Sequence, residues 1–438
     1  MEYFKSQVPR GSKYEYYTYF EPKEIITSQL KDLFHQYGYR QIAVPTFEYF
    51  ELFKESKGLL ENSAMLKFID PAGDILVLRP DCTIPISKMV ANAESEPYHL
   101  RLSYVSNVFR GNSLHESSAT EFTQGGIEYF GDDSPDGDAE VISMAIKSLL
   151  VSGFEEFQID LSNINFFKHS LEEAKLSGDE EEEYKNLILS KNFTALKAFL
   201  ISLKEKKRET PIPDSIIRLL EAMPTLYGRP EKVLSKVASF GLDPEHFQHL
   251  TRLMKVYEIL SEYGFEQYLY FDLSLINHFD YYDGVLFQGY LKGHGKVIVQ
   301  GGRYDPLTEA FGRKIPSVGF GINLDEVIQA MKTFNQKIES PYYTDYLVLY
   351  EDAQRKEAYE VAESIRRKGF VVEMNPKGDL KKQIQGAHTK NIKEILVYND
   401  QRLELINLVA DDVVKVYKNT FIRSLDDKKR DLATVSIH

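Results

Sequence analysis

Residues 121–130, Glu121-Phe-Thr-Gln-Gly-Gly-Ile-Glu-Tyr-Phe130, form a run with strand character, preceded at 100–110 by a second run that ends Asn107-Val-Phe-Arg110. Gln124 and Glu128 are four residues apart, so on a strand they share one face. If that face is buried, both must be paired. Gly125-Gly126 lets backbone or ligand come close. Arg110 on the preceding run faces this pair, either as a structural ion pair or as part of a pocket for a zwitterion with polar ends.

Working outward, residues 65–79 alternate about the turn Pro71-Ala-Gly-Asp74 and predict a hairpin. Before it, a helix is predicted after Pro22, with Ile25, Leu30, Leu33 and Phe34 on one face and Gly38 as its stop, followed by a β-like run from Arg40 to Val44. Beyond residue 130, Asp138 opens an amphipathic helix and 155–162 is strand-like. From 164 to 264 the pattern is helical, broken at Pro211, Pro213, Pro224, Pro230 and Pro244. Strands return at 267–275 and at 284–300, where Lys292-Gly-His-Gly295 is a hairpin turn. A Gly-rich strand (315–323) and a helix (325–334) close the domain. Strands resuming after a helical block predict an α+β fold. Its antiparallel core comprises 1–163 and 265–334, interrupted by a helical insertion at 164–264. After a linker at 335–341, alternating strands and helices predict a small α/β domain, 343–438, with a parallel sheet.

A chain of 438 residues has room for two or three domains. Its single cysteine, Cys82, excludes an intramolecular disulfide framework and a Cys-cluster metal site. No apolar run is long enough to span a membrane, and the charged N-terminus lacks an apolar signal core. A cytoplasmic location and no membrane partner are expected. The formal charge of −13 is unevenly spread: residues 341–438 carry 17 basic and 16 acidic groups, and residues 1–340 carry 36 and 50. A body this acidic disfavours nucleic acid as a main partner. The run Asp179-Glu-Glu-Glu-Glu183 is a solvated helix start.

Three further clusters could carry chemistry. In Leu78-Arg-Pro-Asp-Cys-Thr83, Asp81 and Thr83 suit a helix N-terminus, and capping alone accounts for both. In Asp280-Tyr-Tyr-Asp-Gly284, two tyrosines can stack on a planar ring and hydrogen-bond its nitrogens, or simply pack. Gln300-Gly-Gly-Arg-Tyr-Asp305 and Ser317-Val-Gly-Phe-Gly-Ile-Asn-Leu-Asp-Glu326 carry strand glycines that imply a close approach. No P-loop, dinucleotide fingerprint or metal-ligand histidine spacing occurs, so no cofactor and no metal are expected, and most of the ten histidines read as surface or packing residues.

In order and spacing these clusters resemble class II histidyl-tRNA synthetases over about residues 1–330. The matching stretches are Tyr37-Gly-Tyr-Arg40 with Pro45-Thr-Phe-Glu48 (motif 1), Leu78 to Thr83, Phe109-Arg110 (motif 2), Asp280-Tyr-Tyr282 and Gly301 to Asp305. Residues 343–438 resemble that family's anticodon-binding domain. The resemblance implies a six-stranded antiparallel sheet flanked by helices, self-association through motif 1 and a histidine-sized pocket.

Three departures remove cations that the family directs at ATP. The motif 2 loop from Gly111 to Glu121 has no Lys or Arg, the Glu-Arg pair of motif 3 is Asp325-Glu326, and the activating Arg is Asn277. Phosphoryl chemistry spreads negative charge over oxygens that need such groups, each worth a few kcal/mol. A synthetase fold without catalytic residues follows. The chain is similar to the family's non-catalytic paralogues, the regulatory subunits of ATP phosphoribosyltransferase, through Leu78 to Ile86 and Glu121 to Glu128. That similarity implies hetero-oligomeric assembly with a short-form catalytic subunit and feedback inhibition by histidine in the first step of histidine biosynthesis. Carried over residue by residue, the histidine-binding set is Asp81, Thr83, Gln124, Glu128, Tyr281 and Tyr282, with Arg110 nearby. The overall architecture and C-terminal domain leave an active histidyl-tRNA synthetase as the alternative.

Overall fold

The computed structural model describes residues 8–9, 11–55, 65–94, 99–111, 120–206, 211–276, 281–336, 344–399, 402–408 and 412–432. They fall in two compact units, Met1–Ile338 and Glu339–His438. In chain order the first unit runs α1 (Tyr17–Gln36), β1 (Arg40–Gln41), β2 (Phe47–Tyr49), α2 (Phe50–Glu55), β3 (Lys67–Ile69), β4 (Ile75–Leu78), α3 (Thr83–Ala91), β5 (Leu100–Phe109), β6 (Glu121–Phe130), α4 (Pro135–Val151) and β7 (Phe157–Asn163). A helical block follows: α5 (Ile164–Ala174), α6 (Gly178–Leu189), α7 (Phe193–Glu205), α8 (Asp214–Ala222), the short β8 (Tyr227–Gly228), α9 (Pro230–Ala238) and α10 (Pro244–Glu262). The unit ends with β9 (Leu269–Asp272), β10 (Val285–Leu291), β11 (Val297–Arg303), α11 (Asp305–Ala310), β12 (Ser317–Asn323) and α12 (Leu324–Thr333).

Its main sheet has nine strands in the order β1-β5-β6-β12-β11-β10-β7-β9-β8. The six from β5 to β7 are antiparallel throughout. The sheet is larger than the six strands implied, because β1 adds in parallel to β5 and β9 adds in parallel to β7. A parallel neighbour needs a crossover, which the helical block between β7 and β9 supplies. The 65–79 hairpin forms as β3 and β4 and takes β2 as a third strand.

Two helix starts differ from expectation. Helix α4 begins at Pro135 rather than Asp138, because Ser134 accepts a hydrogen bond from the Gly137 N–H and Pro135 fits the first helical position. Helix α1 begins at Tyr17 with Pro22 inside it. The carbonyl that Pro22 cannot serve belongs to exposed Thr18, where water can take it. In α6 the acidic run starts the helix, but Glu180 is buried by a capping box with Ser177 and accepts from Lys206 at 2.7 Å.

The strand period sorts the sheet into two faces. Leu30 and Phe34 of α1 lie against Gly125 and Phe320, so residues of the opposite parity, including Gln124 and Glu128, look away from this helix.

The second unit is a five-stranded sheet, β14 (Val372–Pro376), β13 (Tyr346–Tyr350), β15 (Glu394–Asn399), β16 (Arg402–Asn407) and β17 (Asp412–Tyr417) in spatial order, with helices α13 (Arg355–Arg366), α14 (Leu380–Thr389) and α15 (Lys418–Leu432). Only the first three strands are parallel; β16 and β17 are antiparallel, so the sheet is mixed rather than parallel. The link from Asn399 to Arg402 is too short for a crossover and forces a hairpin. Among the described residues no helix is long and apolar enough to cross a membrane.

Candidate functional site

Three adjacent strands place glycines where side chains would otherwise stand. A Cβ on Gly126 would come within 2.6 Å of the Tyr104 hydroxyl, one on Gly321 within 2.5 Å of the Gln124 amide, and one on Gly302 within 2.9 Å of the Tyr282 ring. One on Gly319 would overlap the Glu128 carboxylate outright. These glycines make a floor on β6, β11 and β12, and Tyr104, Gln124, Glu128 and Tyr282 lie across it. The close approach expected of the strand glycines is therefore made by the protein's own polar side chains.

Glu128 is the centre of this layer and is 1% exposed. It accepts a hydrogen bond from Thr83 Oγ1 at 2.7 Å, at the start of α3, and a second from the Tyr304 hydroxyl. The Tyr104 hydroxyl donates to Gln124 Oε1 at 3.3 Å. The rings of Tyr281 and Tyr282 lie 4.8 Å apart, and Tyr304 meets Tyr281 edge-on at 6.1 Å. Asp81 is 4% exposed and caps α3 by accepting the Ile84 N–H at 3.0 Å. Capping thus explains Asp81, whereas Thr83 spends its hydroxyl on Glu128.

Burial decides the protonation of the two carboxyls. It pushes Glu128 up to about 8, with Tyr304 and Thr83 opposing and the charge of Asp81 assisting. Burial also raises Asp81, opposed by the charge of Arg110 and the Ile84 N–H. At neutral pH Glu128 therefore holds a proton that an unfolded chain, with its ordinary value of 4.5, would have released. Folding takes up that proton, so stability is greatest below the unfolded value and falls as pH rises towards 8. We expect the wild-type protein to lose on the order of 3–4 kcal/mol between pH 5 and pH 8 through this one group. In Glu128→Gln, which mimics the protonated acid, urea titrations across that range should show the slope removed. An unchanged slope would show that Glu128 ionises freely in the folded protein.

Arg110 does not face Gln124 or Glu128. The β5–β6 register puts Ser106 opposite Gln124 and Leu102 opposite Glu128, while Arg110 lies beyond Phe109 at the strand end. There Arg110 Nε donates to the Pro80 carbonyl at 2.8 Å and its charge acts on Asp81. Arg79 is structural, donating to the carbonyls of Val44 and Asn107 at 2.8 Å each. Arg303 serves the frame: both its Nε and Nη2 donate to Asp138 Oδ1, at 3.0 and 2.7 Å.

The acidic pair in the motif 3 position is fully engaged. Asp325 Oδ1 accepts from Lys13 Nζ at 2.7 Å and from the Tyr19 hydroxyl at 3.1 Å, and Oδ2 accepts the Thr123 N–H at 2.7 Å. Against the cost of burial, these donors and Lys23 hold the Asp325 carboxyl below its ordinary range. Glu326 accepts from His294 at 3.0 Å and from Lys296 at 2.7 Å. The hollow beside Asp325 and the facing ends of β5 and β6 has a volume of about 190 Å³ and is lined by Lys13, Lys23, Glu15, Glu121 and Asp325, among others. That is below the ~300–1,000 Å³ of ordinary ligand pockets, and its three carboxylates outnumber its two ammonium groups.

Of the residues expected from sequence, Asp81, Thr83, Gln124, Glu128, Tyr281 and Tyr282 thus lie in one polar layer, with Arg110 at its margin. Asn277, Asp280 and the motif 2 loop at 112–119 lie outside the described residues. Tyr104 and Tyr304 belong to the layer and were not singled out. Tyr304 sits in the quoted Gly-Gly-Arg-Tyr-Asp stretch, but Tyr104 carries no local signal.

An antiparallel sheet with this strand order, a motif 2 hairpin and a glycine-rich motif 3 strand define a protein of the class II aminoacyl-tRNA synthetase type. The histidyl-tRNA synthetase family model matches residues 19–327. The chain belongs to the ATP phosphoribosyltransferase regulatory subunit family within that group. It is 34% identical over 397 residues to the regulatory subunit of Acetivibrio thermocellus, covering 90% of this chain and 93% of that one. With the Clostridium kluyveri regulatory subunit it shares 35% identity over 394 residues, covering 90% and 99%. A Bacillus halodurans crystal structure described as an ATP phosphoribosyltransferase regulatory subunit/histidyl-tRNA synthetase superposes with a TM-score of 0.77 at 26% identity, covering 90% of this chain and 98% of that one. The apo histidyl-tRNA synthetase of S. aureus has the same fold, with a TM-score of 0.69 at 19% identity over 96% of this chain and 99% of that one.

Proposed function

We propose that this protein is the non-catalytic regulatory subunit of an ATP phosphoribosyltransferase in the cytoplasm, required by a short-form catalytic subunit and responsible for feedback inhibition by histidine. Residues 1–163 and 265–334 are the synthetase-like core in this reading, 164–264 its insertion and 343–438 the C-terminal domain. The observation that carries the loss of catalysis is the motif 3 pair. Where the synthetases direct a guanidinium at nucleotide, Glu326 is paired with Lys296 and His294, and the hollow beside Asp325 is small and net acidic. A polyphosphate there would meet carboxylates in place of the cations its transition state needs.

The effector pocket comprises Asp81, Thr83, Gln124, Glu128, Tyr281 and Tyr282. An arriving ammonium displaces the proton from Glu128, and the tyrosine pair offers ring faces and hydroxyls to an imidazole. Self-association through motif 1 is supported by exposed apolar side chains on the small sheet: Phe47, Tyr49 and Phe68 share one face, Ile69 and Ile75 lie on the other, and all five are solvent-accessible.

The test is reconstitution with a short catalytic subunit. Mixing should yield a complex with phosphoribosyl transfer from phosphoribosyl pyrophosphate to ATP that neither protein shows alone, and histidine should suppress it. Absence of a complex and of any rate gain would defeat the reading. Histidine-dependent exchange of pyrophosphate into ATP by the isolated protein should be undetectable; measurable exchange would restore the synthetase alternative.

A further inference from the structure

Outside this pocket, helices α5 and α10 bring four metal-ligating side chains together. His169 and Glu173 are one turn apart on α5; Asp243 is the N-cap of α10 and His246 lies in its first turn. One ligand atom from each lies within 4.8 Å of all the others. His169 Nε2 is 3.2 Å from Asp243 Oδ2, His246 Nδ1 is 3.1 Å from Asp243 Oδ1, and Glu173 Oε2 is 4.0 Å from His246 Nδ1.

The hydrogen bonds behind His246 fix what its inner nitrogen can do. Ser170 Oγ donates its only proton to the Phe166 carbonyl at 2.7 Å, so towards His246 Nε2, 3.3 Å away, it can only accept. The proton of the neutral ring therefore sits on Nε2. The lone pair on Nδ1 then points at Asp243 Oδ1, an oxygen that already accepts the His246 backbone N–H at 3.1 Å. The side chain has no exposed surface, and the contact can be satisfied either by a second proton on the ring or by a metal ion in that proton's place. Orientation of a histidine by a hydrogen bond on its far nitrogen is the usual support of a metal ligand.

We propose that His169 Nε2, Glu173, Asp243 and His246 Nδ1 form a binding site for a divalent transition-metal ion of the zinc class, clamping α5 to α10. Two imidazoles and two carboxylates suit zinc, whose bonds of about 2.0–2.2 Å in a tetrahedron put ligand atoms roughly 3.3–3.5 Å apart. The separations of 3.1, 3.2 and 4.0 Å are close to these values, and the remaining pairs, all within 4.8 Å, need a contraction of at most about 1.5 Å. The Asp243 and Glu173 side chains are 33% and 29% exposed, which leaves an entry path from solvent. The clamp adjoins the pocket: Lys168, next to His169, donates to the Tyr282 carbonyl at 3.0 Å. A metal would thus stiffen the helix on which that tyrosine's backbone rests.

The proposal is independent of the functional reading, since none of the four ligands touches Glu128 or Thr83. Its test uses the full chain, stripped with chelator and titrated with Zn²⁺ against a competing dye. Glu173→Gln with Asp243→Asn retains the N-cap and keeps both side chains' shapes. Wild type should bind one Zn²⁺ at least about 100-fold more tightly than this variant, its thermal midpoint should rise with Zn²⁺ and fall with EDTA, and Co²⁺ should give the visible absorption of a tetrahedral site. Equal Zn²⁺ affinity in both proteins, or a wild-type midpoint unmoved by Zn²⁺ and EDTA, would overturn it.

Discussion

Asp138→Asn is expected to lower the unfolding free energy by about 3–5 kcal/mol, among the largest single effects in this fold. The Asp138 side chain is fully buried and holds two guanidiniums at once: Oδ1 takes two donors from Arg303, and Oδ2 takes Arg252 Nε at 2.8 Å. Asparagine removes the charge and turns an N–H towards a donor, leaving cations buried with one counter-charge fewer. Asp305 Oδ1 at 3.2 Å and the Asp132 carbonyl at 3.0 Å still serve Arg303, which is why the loss should stop short of complete unfolding. Urea denaturation at pH 7 measures it. A loss below about 1 kcal/mol would mean that the network is not stabilising the junction of β11, α4 and α10. Arg252→Met is the milder companion, because that side chain is 25% exposed and water can replace part of what it gives.

Gly319→Ala should be nearly as damaging, for a steric reason. Its Cβ would occupy the place of the Glu128 carboxylate and stand 2.6 Å from the Ile127 carbonyl, which belongs to the neighbouring strand and cannot rotate away. Glu128 must leave Thr83 and Tyr304, or the β6–β12 pair must open. Either route costs about 3 kcal/mol or more and abolishes histidine binding at the proposed pocket. Gly386→Ala is the control: it lies inside α14 with open space around it, and should stabilise by about 0.5–1 kcal/mol. If Gly319→Ala keeps wild-type stability and still binds histidine, the polar layer does not rest on the glycine floor.

The central strands and the shared face of Gln124 and Glu128 were legible because a period of two over ten residues leaves little ambiguity. The parallel edges were not. Strands β1 and β8 have two residues each and no period to read, and β9 finds β7 only once a hundred residues of helix have returned the chain. In the second unit the strand–helix alternation up to Asn399 reads as a parallel sheet, and only the short link from Asn399 to Arg402, which a hairpin alone can bridge, marks the antiparallel edge. At the site, the carried-over motifs named six polar residues with Arg110 nearby, whereas the reading of the two strand runs set Arg110 opposite Gln124 and Glu128, because register rather than strand order decides which residues face each other. Tyr104 is one tyrosine among 28. His169 and Asp243 stand 74 residues apart, so no local spacing announces that their rings and carboxylates converge.

The lysines and histidine around the motif 3 pair also bear on ancestry. Glu326→Arg, the simplest step back towards a nucleotide-binding residue, would set a guanidinium against Lys296 and His294 before any ligand was there to balance it. Emptying the neighbouring hollow would also require evicting Lys13 and Lys23 from Asp325 and Glu15. If the proposed function holds, each such reversal taken alone would have to break ion pairs already in place before a nucleotide could replace them, so the changes in this crevice reinforce one another.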